Sequence, residues 1–191
     1  MSLSRPRRRA RLEQTADVEG VAHLVFIVGG EEYAVPLLSV ERIVGLGALI
    51  ALPDMPGLRG VLSLPGERLV IVDMAAALGA PHRPNAPENC ALVIPGPPEG
   101  PKAVGLAIDA VSRLIGLTPE QLASPPRLGS LLDAPFVAAM APVGSSFVPV
   151  LDLDRLLASP QVLSGVRESG TAVDARAVAA AADGPREAVR S

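Results

Sequence analysis

Three aspartates stand where apolar runs of this 191-residue chain end: Asp73 after Leu69-Val70-Ile71-Val72, Asp109 after Leu106-Ala107-Ile108, and Asp152 after Val150-Leu151. Two carboxylates held in contact and sharing one proton would supply aspartic-protease chemistry. Such a pair needs each aspartate in a turn that lets its partner approach. Here Asp73 is followed by Met74-Ala75 and Asp152 by Leu153-Asp154, without the Thr/Ser-Gly turn. An aspartate between a strand and a short helix instead accepts a backbone N–H as an N-cap, worth about 1 kcal/mol. His23 at a strand start and His82 in a loop have no Ser or Cys nucleophile at a catalytic spacing. The single cysteine, Cys90, excludes an internal disulfide, and with two histidines the ligand inventory is too small for structural zinc. It reads as a small apolar side chain opening a strand. Thr118-Pro119-Glu120-Gln121 is a capping box with proline at the first helical position, which gives its polar residues a structural task. No enzyme activity, metal or cofactor is expected, and binding is the function that remains.

The elements that would position these residues are short. With 20 prolines and 18 glycines the chain is punctuated every few residues, which favours short strands joined by turns over long helices. His23 to Val28 and Tyr33 to Leu38 flank Gly29-Gly30-Glu31-Glu32 as a tight hairpin. A phosphate cradle at that glycine pair would need a following Gly-Lys-Ser/Thr and a helix, and neither follows. Further strands are expected at Val40 to Val44, Leu49 to Leu52, Arg59 to Leu64 and Leu69 to Asp73, with Pro65-Gly66 as the last turn.

Composition sets outer limits. The chain is 49% hydrophobic and 19% charged with a net charge of −3, which excludes a disordered polyelectrolyte. Its mean hydropathy of +0.37 raises the question of a membrane. The longest uncharged run, Ala134 to Leu151, is broken by Pro135, Pro142, Pro149 and Gly144-Ser145-Ser146, so no membrane insertion is expected. Phe26, Tyr33, Phe136 and Phe147 are the whole aromatic supply, poor material for stacking nucleic-acid bases. Arg5, Arg7, Arg8, Arg9 and Arg11 form a basic cluster before Glu13, Asp17 and Glu19 reverse the sign. Clustered guanidinium groups can gain from counterion release at an anionic partner, but so short a pattern without apolar companions reads as a solvated tail over 1–21. Its twin arginines lack the apolar segment of an export signal, and a cytoplasmic location is expected. Residues 159–191 read as a second flexible appendage, in which the Ala-rich stretch 172–182 has helix propensity but too small an apolar face to hold it.

The central region repeats itself. Val40-Glu41-Arg42-Ile43-Val44-Gly45-Leu46 recurs as Val111-Ser112-Arg113-Leu114-Ile115-Gly116-Leu117, an offset of 111 − 40 = 71, and Tyr33-Ala34-Val35 falls on Val104-Gly105-Leu106 at the same offset. Val70-Ile71-Val72-Asp73-Met74 recurs as Pro149-Val150-Leu151-Asp152-Leu153 at 152 − 73 = 79, with Ser124 to Ala134 supplying the extra connection. A strand run that occurs twice, each copy ending in an aspartate and a brief helix, predicts an all-β protein of two similar small barrels. The domain is expected over 22–158 and its two halves to divide near 80–90. A copy of sixty to seventy residues would bury a marginal core alone, so the two should fold as one cooperative unit.

The chain resembles the CheW family of chemotaxis coupling proteins from about Leu24 to Leu157. The resemblance rests on Phe26 through Pro36, Val40-Glu41-Arg42-Ile43, Leu52-Pro53 with Pro56, Gly60 through Gly66 into Val70-Ile71-Val72-Asp73-Met74, Gly105 to Val111, Leu117 to Gln121, and Val150-Leu151-Asp152-Leu153. It is their order and spacing together that carry it. The resemblance implies two SH3-like five-stranded barrels around a shared core, acting without cofactor as a cytoplasmic adaptor at receptor arrays on the inner membrane. It also implies partners: one barrel edge for the regulatory domain of a CheA-type histidine kinase, and the groove between barrels for the helical cytoplasmic tip of a chemoreceptor. Val40, Gly60, Leu64, Pro65, Gly66, Gly105 and Val111 are then candidates for the receptor groove or its supports. Gly60 and Gly105 are equally explained by close backbone packing.

The family usually reads Asn-Leu-Arg-Gly where this chain has Ser63-Leu64-Pro65-Gly66. Proline removes that turn's charge and a backbone donor, with Arg68 or Arg59 as partial replacements for the charge. Receptor coupling is thereby less secure than kinase coupling. The alternative is a divergent scaffold of the same kind serving surface motility or gene regulation, binding kinase but not receptor tips.

Overall fold

A computed structural model describes residues 20–47, 49–52, 55, 57–81, 89–125, 135–160 and 162–167. The basic segment before residue 20, His82, most of the 80–90 boundary, the connection 126–134 and the Ala-rich stretch 172–182 lie outside the described residues.

The first hairpin joins β1 (Val21–Val28) to β2 (Glu31–Pro36) in the expected place. Gly29 and Gly30 both have positive φ, 64° and 96°, the backbone that a two-residue turn needs to match the twist of its strands. Asp109 straps this turn. Its Oδ2 accepts the Gly29 N–H at 2.8 Å while its own N–H donates to the Ile27 carbonyl at 2.9 Å. β2 ends at Pro36, sooner than expected, because Leu37–Ser39 closes a 3-10 turn, and β3 starts only at Arg42 (Arg42–Gly45). β4 (Leu49–Ala51), β5 (Leu58–Leu64), β6 (Glu67–Asp73) and α1 (Met74–Leu78) complete the first copy. The second contains β7 (Cys90–Pro95), β8 (Ala103–Ile108), β9 (Ala110–Leu117), β10 (Val137–Val143), β11 (Ser146–Leu151) and α2 (Leu153–Leu157).

The duplication is structural. β5 maps to β10 at 137 − 58 = 79 and α1 to α2 at 153 − 74 = 79, and both offsets hold at the far ends of the elements. The strand orders β10-β11-β2-β1-β9 and β5-β6-β8-β7-β3 are the same pattern with the copies exchanged. Each sheet therefore draws on both halves: β1 and β2 join β9 to β11, while β7 and β8 join β3 to β6. The joints are equivalent too, β2 lying parallel to β11 and β8 parallel to β6. A boundary near 80–90 divides the two sequence copies, not the two sheets. One sheet has six strands where five were expected, because β4 adds an edge strand. Its counterpart in the other sheet is a single bridge, Ala123 to Met140.

Strand alternation sorts the apolar residues into three cores. Leu69, Ile71, Ala91 and Val93 fill the six-stranded sheet, and Val25, Ala34, Val148 and Val150 fill the five-stranded one. Their sequence neighbours Leu24, Phe26, Val35, Val70, Val72, Leu92 and Leu106 form the large core between the sheets. Both faces of the central strands are buried, which is why those strands read as unbroken apolar runs.

The expectation of a loose appendage from residue 159 is corrected over 162–167. Residues 162–167 are helical, Val162 and Val166 are 0% exposed in the shared core, and Arg167 pairs with Glu99 at 2.6 Å. The spacing of two valines four residues apart puts both on one helix face, a signal obscured by the alanines downstream.

Candidate functional site

The carboxylates that could have done chemistry hold backbone instead. Asp73 Oδ1 accepts the Ala76 N–H and Asp152 Oδ1 the Arg155 N–H, both at 3.0 Å, as N-caps of α1 and α2. The expected capping box is present, with Gln121 Oε1 accepting the Thr118 N–H at 2.8 Å. The Thr118 hydroxyl beside Glu120, with Glu120's own backbone N–H, holds that carboxyl below its usual range. Cys90 opens β7 half-buried against the shared core. Among the described residues no group of three or more His, Cys, Asp or Glu could hold a metal ion. No helix there is long and apolar enough to cross a membrane.

The seven candidate binding residues occupy three places. Gly60 and Gly105 flank Ile71 in a cross-strand row, Gly60–Ile71–Gly105–Val93, on the inner face of the six-stranded sheet. Ile71 is fully buried, and its side chain lies over Gly105. A Cβ on Gly105 would come within 2.4 Å of Ile71 Cδ1, and one on Gly60, at φ 154°, within 2.1 Å of the Ile50 carbonyl oxygen. Leu64 packs on the same inner core. Pro65 and Gly66 form the two-residue tip between β5 and β6, with Gly66 at φ 81°. Proline with φ fixed near −65° before a left-handed glycine is the pattern of a type II turn. Val40 and Val111 stand apart from these, half-buried at the margin of the shared core.

The hairpin tip carries an ion pair that the sequence reading did not place. Arg42 on β3 forms an ion pair with Glu67, the first residue after the tip. Arg68 is exposed beside it, paired in register with Ser63. Nothing in the sequence brings Arg42 and Glu67 together, since their meeting depends on the curl of the six-stranded sheet.

Exposed apolar side chains are the other feature that sequence reasoning missed. Ile43 on edge strand β3 is 45% exposed, Ile50 on edge strand β4 is 58% exposed, and Leu38 in the 3-10 turn is 95% exposed. On the five-stranded sheet, Phe147 is 65% exposed beside a cleft of about 660 Å³ bounded by Glu31, Tyr33 and Met140. Burial pushes the Tyr33 hydroxyl above its usual range, with a smaller contribution from Glu31. Across β1, Arg113 donates to both Glu32 oxygens at 2.7 Å and the Ser112 hydroxyl to one at 2.8 Å. These bonds, the Arg113 guanidinium first, hold Glu32 below the usual carboxylate range against the opposing effect of its partial burial.

Apolar side chains thus stand open on the edge strands of a double sheet. Comparison with known proteins agrees with this architecture. A family profile described as the CheW-like domain matches residues 22–161. Chemotaxis protein CheW of Klebsiella aerogenes is 26% identical over 144 residues, covering 75% of this chain and 85% of that protein. A probable chemotaxis protein CheW of Rhizobium etli is 30% identical over 139 residues, covering 72% and 88%. The crystal structure of the scaffolding protein TtCheW from Thermoanaerobacter tengcongensis superposes with a TM-score of 0.65 at 19% identity, covering 75% of this chain and 92% of that one, a likeness of fold. By the extent of the profile match and the agreement of fold, the chain belongs to the CheW-like domain family.

Proposed function

We propose that this protein is a non-enzymatic adaptor that couples chemoreceptors to a CheA-type histidine kinase, without a cofactor, at cytoplasmic receptor arrays. The observation that carries the reading is the CheW-like double barrel over most of the chain, with apolar side chains left open on its edge strands. Ile43 and Ile50, on the two edges of the six-stranded sheet, are the kinase-docking residues. Unpaired strand edges flanked by exposed isoleucine gain from burial on a partner barrel and offer backbone groups for pairing. Val40 and Val111 at the margin of the shared core, with the Pro65-Gly66 tip, form the receptor-facing set. Gly60, Leu64 and Gly105 support it from inside the sheet. Contact between preformed apolar surfaces then transmits the signal as a bias between kinase states.

Co-purification with the cognate kinase and with receptor signalling fragments tests this. The chain should retain both, Ile50→Asp should lose the kinase by at least tenfold, and Val111→Asp should weaken receptor capture. Absence of any complex with the kinase, alone or with receptor, would refute the adaptor reading.

Pro65 favours a second reading. The turn lacks the arginine that the family resemblance leads one to expect, and Arg42 is engaged by Glu67. A scaffold in a chemosensory pathway serving surface motility or gene regulation would bind kinase but not receptor tips. Pro65→Arg separates the two readings: a gain of receptor capture from nothing supports the second, and unchanged strong capture supports the first.

A further inference from the structure

The two parallel joints between the copies are equivalent in place but not in extent. β6 and β8 pair over four residues, from Val70 with Val104 to Asp73 with Ala107, whereas β11 meets β2 only at Val150 with Ala34. The offsets of the duplication put Pro149 where the other copy has Val70, and Pro36 where it has Ala107. Proline has no N–H to give to a neighbouring strand, so the ladder stops on both sides of one pair. On the side of the strand starts, β2 and β11 become opposite walls of the cleft of about 660 Å³, with Glu31, Glu32 and Tyr33 on one wall and Phe147 and Pro149 on the other. In a two-residue hairpin the residues that flank the turn, here Val28 and Glu31, bond each other. The N–H and carbonyl of Glu32 therefore point away from β1 toward the cleft, and the register gives them no partner there.

The side chains of the cleft select charge. Continuing the single pair outward, Pro149 falls opposite Tyr33 and Phe147 opposite Glu31. Tyr33 is 7% exposed, and its hydroxyl bonds no described residue. That hydroxyl is not sealed from water either, so it opens on the cleft that Tyr33 lines. Glu31 is exposed and forms no ion pair among the described residues, unlike Glu32, which Arg113 engages. The Glu31 charge contributes to the raised pKa of Tyr33, which sets carboxylate and hydroxyl within electrostatic reach of each other. A free carboxylate facing an open aromatic ring, with a hydroxyl acceptor beside them, suits a cation on an apolar stem. The unpaired main chain of Glu32 suits an extended backbone. We propose that the gap between β2 and β11 takes an extended segment of a partner protein, which bonds the Glu32 main chain and places a lysine or arginine among Glu31, Tyr33 and Phe147. The site is separate from Ile43, Ile50 and the receptor-facing set, and it does not rest on the adaptor reading.

The test titrates the full chain with the peptide acetyl-Thr-Val-Arg-Val-Thr-amide, and with its counterpart carrying glutamate in place of arginine, while backbone amide resonances are followed. The arginine peptide should shift Glu32, Tyr33 and Phe147 and bind roughly tenfold more tightly than the glutamate peptide, the scale of one charge-assisted hydrogen bond. Glu31→Lys, a change at an exposed position, should remove that preference. Pro149→Val should lengthen the β2–β11 ladder, slow hydrogen exchange at the Glu32 amide and abolish binding. If Pro149→Val does not fold, Glu31→Lys decides alone. Equal affinities for the two peptides, a preference that persists in Glu31→Lys, or undiminished binding to folded Pro149→Val would overturn the proposal. So would an absence of shifts at millimolar peptide, shifts confined to the strands of Ile43 and Ile50, or arginine amide binding as tightly as the peptide, which would mark a site for a small cation.

Discussion

Gly60 and Gly105 flank the same buried Ile71, yet the two positions resist a side chain for different reasons. At Gly105 the obstacle is the tip of Ile71, which can change rotamer, so Gly105→Ala should cost about 1–3 kcal/mol as ordinary overpacking. At Gly60 the obstacle is the Ile50 backbone oxygen in the paired β4–β5 edge, and φ 154° adds strain of its own. Gly60→Ala should therefore destabilise more than Gly105→Ala and detach β4. Urea midpoints of the two variants check this, and a reversed order would show that the Ile71 contact dominates. Glu32 is a residue whose charge matters to stability. Its pKa is depressed in the fold, so its contribution is complete above the unfolded value of about 4.3 and is lost as pH falls through the lower folded value. The pair is exposed, so the effect should be at most about 1 kcal/mol. The stability gap between wild type and Glu32→Gln should be constant near neutrality and close as the solution is acidified below about pH 4.

At the scale of elements, the caps were legible and the last helix was not. Asp73 and Asp152 announce their helices because an aspartate between an apolar strand and a helix-forming run has one economical use, and the structure shows both caps. The Gly29-Gly30 and Pro65-Gly66 turns were legible for the same local reason. The helical residues 162–167 were missed because their apolar face is only two valines, whose value depends on the pocket that receives them. Burying both valines is worth about 3 kcal/mol or more. A chain ending at Ser159 should thus lose at least that much stability in urea, whereas one ending at Arg167 should match the full chain. Equal stability of all three would show that the segment is dispensable.

At the scale of the molecule, the exchange of strands between copies makes each half incomplete. β1 and β2 find their remaining partners in β9 and β11, and β7 and β8 find theirs in β3 and β6. Residues 1–85 or 86–191 alone would leave open edges and an uncovered shared core. Each half should be largely unfolded by circular dichroism and should gain strand signal when mixed with the other, while the intact chain should unfold in one transition. A half that folds alone would show that one copy is a self-sufficient barrel. Such mutual dependence ties the two sheets together through strands of both copies.

What the sequence determined by itself was everything encoded by near neighbours and by repetition: short strands, turns, caps, the duplication, and a resemblance whose motifs keep their order. It named Val40, Val111 and the Pro65-Gly66 tip as candidates without revealing that Gly60, Leu64 and Gly105 belong to the inner side of the six-stranded sheet. Only the tertiary structure decided which strands pair, and hence which isoleucines remain open, that Arg42 meets Glu67, and that His23 is buried at a cleft. Local conformation follows from backbone sterics and hydrogen bonds within a few residues. Which face of a strand meets solvent depends on partners up to 116 residues away, as in the parallel pairing of Ala34 with Val150, where 150 − 34 = 116.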